Sequence, residues 1–576
     1  MASQDRRDLP DLLEYLSSID RLPFSRRRLL ELAAGATALG AIAPGVARGG
    51  TRHYTTMAAS SATPADTLVV AAPATPSTLD PESNVDIQTT DAIGMLYDSL
   101  IKFRTIKDPQ NPNVSREDLS FHANEKYGWA VEGKLAQGWE LTKGGRKVVF
   151  TLKKGIKSNW GNEFTAKDVK YTWDRHFALK GVGGFFIGVL KLKSPDAVKV
   201  EGPYTISFET DNPNPVMLTM MVNLYNPIFD GTKMKQVAKP GDKWSIDFLK
   251  NKSAGFGPYE ISELTHGVQA VFKARSDYYG PKPAMKTVVY KEVPQSPQRV
   301  ALLQGGSADV AQYLRPRELK ALEKVNGIRV DAVRGTQQTW IELNSKLKPF
   351  DNVLVRQAMN FALPQDQIIK TVYQGYGFPL RTGIPTIYPS ADESFWHYGY
   401  DPEKAKALLK RAGMPNGFST TLSYNAGVPE QEEISTIYQT SLRKIGVKVQ
   451  LNKLPAGTFY DYVSKRSQPM IFYTDAPWNP DPGYSNYLYF DSKSFVDYSN
   501  YKNAKVDGLI ENGLNMVDLA KRLPMYKQAQ KIYVSEAPWV FIVRPNPALA
   551  VRSNVHGWIC YTSNNVRFQD FTKSSA

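Results

Sequence analysis

A single cysteine, Cys560, stands in a chain of 576 residues. No intramolecular disulfide can form, so the apolar core must carry stability. Histidine is scarce as well. The six (His53, His122, His176, His266, His397 and His556) lie far apart and make no metal-ligand pair at helical spacing. There is no G-x-S-x-G elbow and no C-x-x-C. Gly133 to Gly138 begins like a phosphate loop, but Trp139 stands where such a loop needs lysine. Gly181-Val182-Gly183-Gly184 lacks the full dinucleotide spacing and reads as a turn. After the N-terminal region, no stretch reaches the roughly 17–25 apolar residues of a membrane span. Carboxylates are plentiful, and a glycosidase-type pair stays open, since sequence does not say which of them converge. These absences shift weight from catalysis to binding.

Charge of both signs is present, with a formal excess of +15. Residues 1–47 hold six Lys/Arg and six Asp/Glu, so the excess belongs to the remainder of the chain. The densest basic stretch, KGGRKVVFTLKKGIK (Lys143–Lys157), contains a Gly-Gly turn between two runs of strand character. It reads as a solvated hairpin face, and no RNP, zinc-finger or helix-turn-helix signature argues for nucleic acid. Near the start, FSRRRLLELAAGATALGAIAPGVA (Phe24–Ala47) joins three arginines to a short Ala/Gly-rich apolar run. This reads as an export signal of the twin-arginine kind, with an amphipathic buried helix as the alternative. Residues 1–60 are therefore expected outside the folded part, with no cysteine there for a lipid anchor.

The rest, 42% hydrophobic and 22% charged over the whole chain, suits a large soluble α/β protein. TLVVAAPATPSTLDP (Thr67–Pro81) reads as a buried strand and Pro-rich turn, and Ala92–Ile101 as a helix carrying Tyr97. In EFTAKDVKYTWDRHF, Thr165 suits an N-cap, with Asp168 as the acid of a capping box. DPEKAKALLKRAG is the clearest helix, with Asp401 as cap, Pro402 at its first position, an apolar stripe at Ala405, Leu408, Leu409 and Ala412, and Gly413 as stop. DNVLVRQAMNFALPQDQIIKTVYQG (Asp351–Gly375) reads as two helices broken near Pro364. Val288–Ala311 reads as strand, helix, Gly-Gly break and strand. Such alternation without a catalytic signature suggests lobes around a cleft.

Seven segments in order resemble the bacterial extracellular solute-binding proteins of family 5, the peptide-, nickel- and opine-type receptors of ABC importers. They are TLDP (Thr78–Pro81), LAQGWELTKGGRKVVFTLKKGIK (Leu135–Lys157), FTAKDV (Phe164–Val169), GFGPYE (Gly255–Glu260), LNSKLKPFDNVLVRQAMNFAL (Leu343–Leu363), YDPEKAKALLKRAG (Tyr400–Gly413) and YKQAQKIYVSEAPWV (Tyr526–Val540). The resemblance implies an α/β, two-lobed Venus-flytrap architecture with an inserted subdomain. It places lobe I in 66–103, 276–342 and 538–576, the inserted subdomain in 104–275, and lobe II in 343–537. It further implies a monomeric periplasmic receptor that is not an enzyme, needs no cofactor or metal, binds a small solute or peptide, and hands it to a membrane permease. A carboxylate-dependent hydrolase and a peptide-binding chaperone are the alternatives.

For the ligand site, DAPWNPDPGYSNYLYF (Asp475–Phe490) crowds Trp478, Tyr484, Tyr487 and Tyr489 around two prolines and Asp481, following neither helix nor strand period. Aromatics of this kind offer large contact area with polar edges, so Trp478, Asn479, Asp481 and Tyr484 are expected near a ligand. The resemblance adds Asp86, Ile87 and Tyr97 after TLDP, Phe185 and Phe186 from the inserted subdomain, and Tyr424 and Asn425 in YNAGVPE. It also adds Gln338 and Trp340 beside the crossing segment. Trp478 occupies the position where peptide-binding relatives often carry an acid, which Asp475 or Asp481 could restore. YNAGVPE lacks the arginine that dipeptide receptors use, and Arg381 is the candidate carboxylate anchor instead.

Overall fold

The computed structural model describes residues 63–574, apart from 84–85, 126, 223–225 and 495. The export signal read from residues 1–60 lies outside the described residues. Among the described residues, no helix is long and apolar enough to cross a membrane.

Two large sheets organise the chain. The first runs in the order Tyr259–Thr265, Gln269–Ala274, Thr287–Glu292, Thr67–Ala72, Val310–Ala311, Ala548–Arg552, Ile328–Ala332. Thr67–Ala72 is parallel to both neighbours. It is buried from Leu68 onward, which is why TLVVAA is an unbroken apolar run. The second sheet runs Gly377–Pro379, Trp539–Pro545, Gln338–Leu343, Met470–Asp475, Ser419–Asn425, Lys448–Leu454. In it Ser419–Asn425 is parallel to both neighbours. A third, antiparallel sheet (Ala136–Thr142, Lys147–Leu152, Thr205–Glu209, Val198–Gly202) lies between the first two segments of the first sheet in sequence. Its hairpin turns at Lys143–Gly145, with positive φ at Gly144 and Gly145, where the sequence places the Gly-Gly turn.

The chain passes between the large sheets twice, over residues 333–337 and 546–547. These connectors touch: Val333 N–H donates to Pro547 O at 3.1 Å. Gly335 is required by that closeness, because a Cβ there would stand 2.4 Å from Pro547 Cγ.

Local chemistry follows the sequence in most elements. Helix Pro402–Arg411 starts at the Asp401 cap and buries Ala405, Leu408 and Leu409. Thr165 and Asp168 form the expected capping box of helix Ala166–Leu179. The helix expected over Ala92–Ile101 instead spans Ile87–Leu96, because Asp86 caps it through Thr89 N–H and the chain turns extended at Tyr97. TLDP is tied to the inserted subdomain through Asp80. Arg175 Nη1 and Nη2 donate to its two oxygens at 2.8 and 2.6 Å, both residues buried. Next to it, Glu82 pairs with His176 and accepts from Gly183 N–H. Burial works to raise the Glu82 carboxyl, but His176 and Arg175 outweigh it and hold the group below its ordinary range.

Candidate ligand-binding cleft

Ligands of open α/β sheets collect beyond the carboxyl ends of parallel strands. Here those ends carry half of the residues singled out by sequence. Beyond Thr67–Ala72 come Asp86 and Ile87, and beyond Val310–Ala311 come Gln312 to Arg315. On the second sheet, Ser419–Asn425 ends in Tyr424 and Asn425, while Met470–Asp475 leads into Trp478, Asn479 and Asp481. Contacts link the two sides. Phe185, from helix Val182–Leu190, lies edge-on to Trp478 at 6.1 Å and to Tyr484 at 6.5 Å between ring centroids.

Helix Pro482–Phe490 presents the aromatic stretch. Eight of its nine residues are buried, Tyr487 being the exception, so the sequence shows no polar face and no period. Asp481 is its N-cap, accepting from Gly483 N–H at 2.9 Å. Arg522 Nη1 and Nη2 bind the same carboxylate at 2.7 and 2.5 Å, and both residues are fully buried. Burial works to lower the Arg522 guanidinium, but Asp481 outweighs it and holds the charge. The geometry thus engages both Asp481 oxygens in holding the helix. Asn479 Oδ1 accepts from Asp481 N–H at 2.8 Å, and its Nδ2 is buried with no partner among the described residues. Trp478 is half-buried and Tyr484 buried.

Asp475 differs from Asp481. It is half-buried at the strand end, receiving Tyr489 O–H at 3.0 Å and Ala476 N–H at 2.8 Å. No lysine or arginine pairs with it among the described residues, and burial pushes its carboxyl up to about 6.

The remaining sequence candidates divide between surface and core. Ile87 is 39% exposed, whereas the Asp86 carboxylate is bonded to Ser77 and Thr89. Tyr97 is buried, with its hydroxyl on Leu79 O at 3.1 Å and its ring edge-on to Phe229. Phe186 is buried and Phe185 half-buried. Trp340 is fully buried, stacked on Trp539 at 4.1 Å. Gln338 is buried, with Nε2 on Gly383 O. Tyr424 is buried; Asn425 Oδ1 closes its own loop by accepting Gly427 N–H. Arg381 is half-buried, and its Nε has no partner among the described residues.

Sequence reasoning missed Tyr388, which holds the Trp478 loop by donating to Pro477 O at 2.7 Å. It missed Arg522 and Arg315 as well. Tyr388 lies in an aperiodic Pro-containing loop, and Arg522 is 41 residues from its partner, so neither leaves a local signal.

Two α/β sheets joined by two short crossings, with aromatic side chains meeting beyond their strand ends, are the architecture of a two-lobed solute-binding protein. Residues 130–496 match the description "Bacterial extracellular solute-binding proteins, family 5 Middle", and the chain belongs to that family, which consists of binding proteins and not enzymes. Among curated relatives, "Probable D,D-dipeptide-binding periplasmic protein DdpA" of Escherichia coli (strain K12) is 28% identical over 506 residues, covering 87% of this chain and 93% of that protein. "Heme-binding protein A" of Haemophilus influenzae is 26% identical, covering 74% of this chain and 82% of that one. Among solved structures, periplasmic DppA of Helicobacter pylori in complex with the peptide STSA superposes with a TM-score of 0.75 at 25% identity, covering 88% of this chain and 98% of that one.

Proposed function

We propose that this protein is the extracytoplasmic receptor of an ABC importer for a peptide-like solute bearing a free amine, which it encloses between its lobes and delivers to the permease. One observation carries the amine: Asp475, at the carboxyl end of a cleft strand, has hydrogen-bond donors but no cationic partner among the described residues. A carboxylate partly withdrawn from water costs free energy until it is paired, and an ammonium supplies the pair. Trp478 and Tyr484 provide the flanking apolar surface, with Phe185 covering from the inserted subdomain. Arg381, whose Nε lacks a partner, is proposed for the solute's carboxylate. Relatives named for dipeptides and a structure holding a tetrapeptide support a peptide-like cargo. Export by the twin-arginine route is part of the proposal, supported by Arg26 and Arg27.

Calorimetric titration tests the amine. Trialanine should bind at least tenfold more tightly than its N-acetyl form, and Asp475→Asn should erase that preference. Equal binding of both forms would sink the amine reading, and a library of opines, sugars and metal chelates would then identify the class. A ligand at 100 times its Kd adds about 2.7 kcal/mol of stability, which a thermal shift reads.

Trp478→Ala should cost about 1–2 kcal/mol of affinity, as truncation of a buried aromatic anchor does at interfaces. Unchanged affinity with a lower Tm would assign the ring to packing alone.

A further inference from the structure

Arg315 and two glutamates meet across the gap between the sheets. Arg315 lies four residues beyond strand Val310–Ala311 of the first sheet and caps helix Pro316–Leu322, whose Leu319 and Leu322 pack against Ala311 and Ala550. Glu430 and Glu433 lie on helix Pro429–Arg443, which follows strand Ser419–Asn425 of the second sheet and packs on that strand and on Lys448–Leu454. The Arg315 Nη2 atom is in close contact with Glu433 Oε1, and Nε stands 3.7 Å from Glu430 Oε1. Side-chain exposure is 22% for Arg315, 18% for Glu430 and 42% for Glu433, so the pair is partly shielded from water.

We propose that Arg315, Glu430 and Glu433 form a charge clasp between the two lobes, setting how long they stay shut. Three features suit them to reversible work. The Arg315 backbone is pinned by its N–H to Glu318 Oε2 at 2.9 Å, and Ser296 O–H fixes Glu318 from the other side at 2.7 Å. The root of the side chain is therefore held at a fixed place while its stem and guanidinium stay free to swing. Glu430 lies in the first turn of a 15-residue helix and Glu433 one residue beyond that turn, so the helix dipole favours the Glu430 charge with or without the arginine. Opening thus leaves no deeply buried charge unpaired. Finally, Glu430 is the last residue of YNAGVPE, so the clasp ties the loop bearing Tyr424 and Asn425 to the first sheet. A clasp of this kind changes the closed-to-open ratio without touching the solute, because it interacts with one state only. It is screened by salt less than an exposed pair, but still measurably.

The inference rests on the two lobes of the family and not on the chemistry of the cargo, so its test uses no ligand. Spin labels at exposed Glu263→Cys and Lys410→Cys, one on each lobe, in a Cys560→Ser background report the lobe separation by pulsed dipolar spectroscopy. The parent should favour the short distance more at about 20 mM than at about 500 mM NaCl. Arg315→Ala should lower the closed-to-open ratio roughly fivefold and abolish the salt response, and Glu433→Gln should shift it the same way by less. Arg315→Glu should open the protein further, and adding Glu433→Arg should close it again. A parent-like distance distribution in Arg315→Ala at both salt concentrations would overturn the clasp. So would a lowered Tm that the charge-swapped double variant fails to rescue, which would make the pair an ordinary fold contact.

Discussion

Arg522→Ala is expected to lower unfolding stability by about 3–5 kcal/mol, the cost of stranding one member of a buried ion pair. The fully buried Asp481 carboxylate would lose both of its guanidinium bonds, at 2.7 and 2.5 Å. It would keep only the Gly483 N–H at the cap. Because Asp481 starts helix Pro482–Phe490, the loss should also loosen Tyr484, Tyr489 and Phe490, which pack on Phe185, Trp340 and Tyr533. Replacing both partners, Asp481→Asn with Arg522→Met, should recover much of the deficit, since an apolar or neutral substitute carries no desolvation penalty. Urea titration measures each variant. A drop below about 1 kcal/mol for Arg522→Ala would mean that the pair is structurally dispensable, and would return Asp481 to the list of ligand contacts.

The second large effect concerns pH. Burial pushes the carboxyls of Asp91 and Asp497 up to about 7, and those of Asp168, Asp475 and Asp491 up to about 6. Glu342 is raised well above its ordinary value by burial, and further by Asp497 beside it. A carboxyl whose folded value exceeds its unfolded one binds its proton more tightly in the native state. Its contribution is greatest below the unfolded value, near 4, and is lost as pH climbs through the folded value. Stability should therefore fall between about pH 4 and pH 7, and Tm should be higher at pH 5.5 than at pH 8. Each raised unit is worth about 1.4 kcal/mol, so Asp497 alone accounts for a few kcal/mol. Arg544, lowered by burial to about 10, stays charged throughout and adds no slope. Asp497→Asn isolates the effect: Tm should rise at pH 8 and change little at pH 5.5, as followed by calorimetry. A variant destabilised equally at both values would show that Asp497 matters as a hydrogen-bond acceptor for Ser499 and not as an acid.

Elements with a wet side were open to sequence reasoning. Pro402–Arg411 declares itself because cap, stripe and stop agree, and Thr165 with Asp168 does so through a spacing of three. Helix Pro482–Phe490 does not, since burial all round removes the polar face from which a 3.6-residue period is read. The shift of the helix at Ile87 has another cause. Asp86 wins the N-cap through Thr89 and Ser77, a competition decided by side-chain hydrogen bonds that composition does not reveal. Site residues split in the same way. Aromatic crowding pointed to Trp478 and Tyr484, yet the carboxylate that sequence favoured, Asp481, faces an arginine 41 positions away. Asp80 and Arg175, separated by 95 positions, pose the same difficulty. Long-range charge pairing is written in three dimensions, and a single chain of letters shows only that both charges exist.

The two connectors, residues 333–337 and 546–547, lie side by side and share a hydrogen bond. Twin straps of such brevity resist twisting and sliding, leaving a bend about one axis as the cheap motion. In the receptor proposed here, enclosing a cargo would then resemble shutting a book on its spine, with every page edge, from Phe185 to Glu433, meeting its opposite number on a fixed arc.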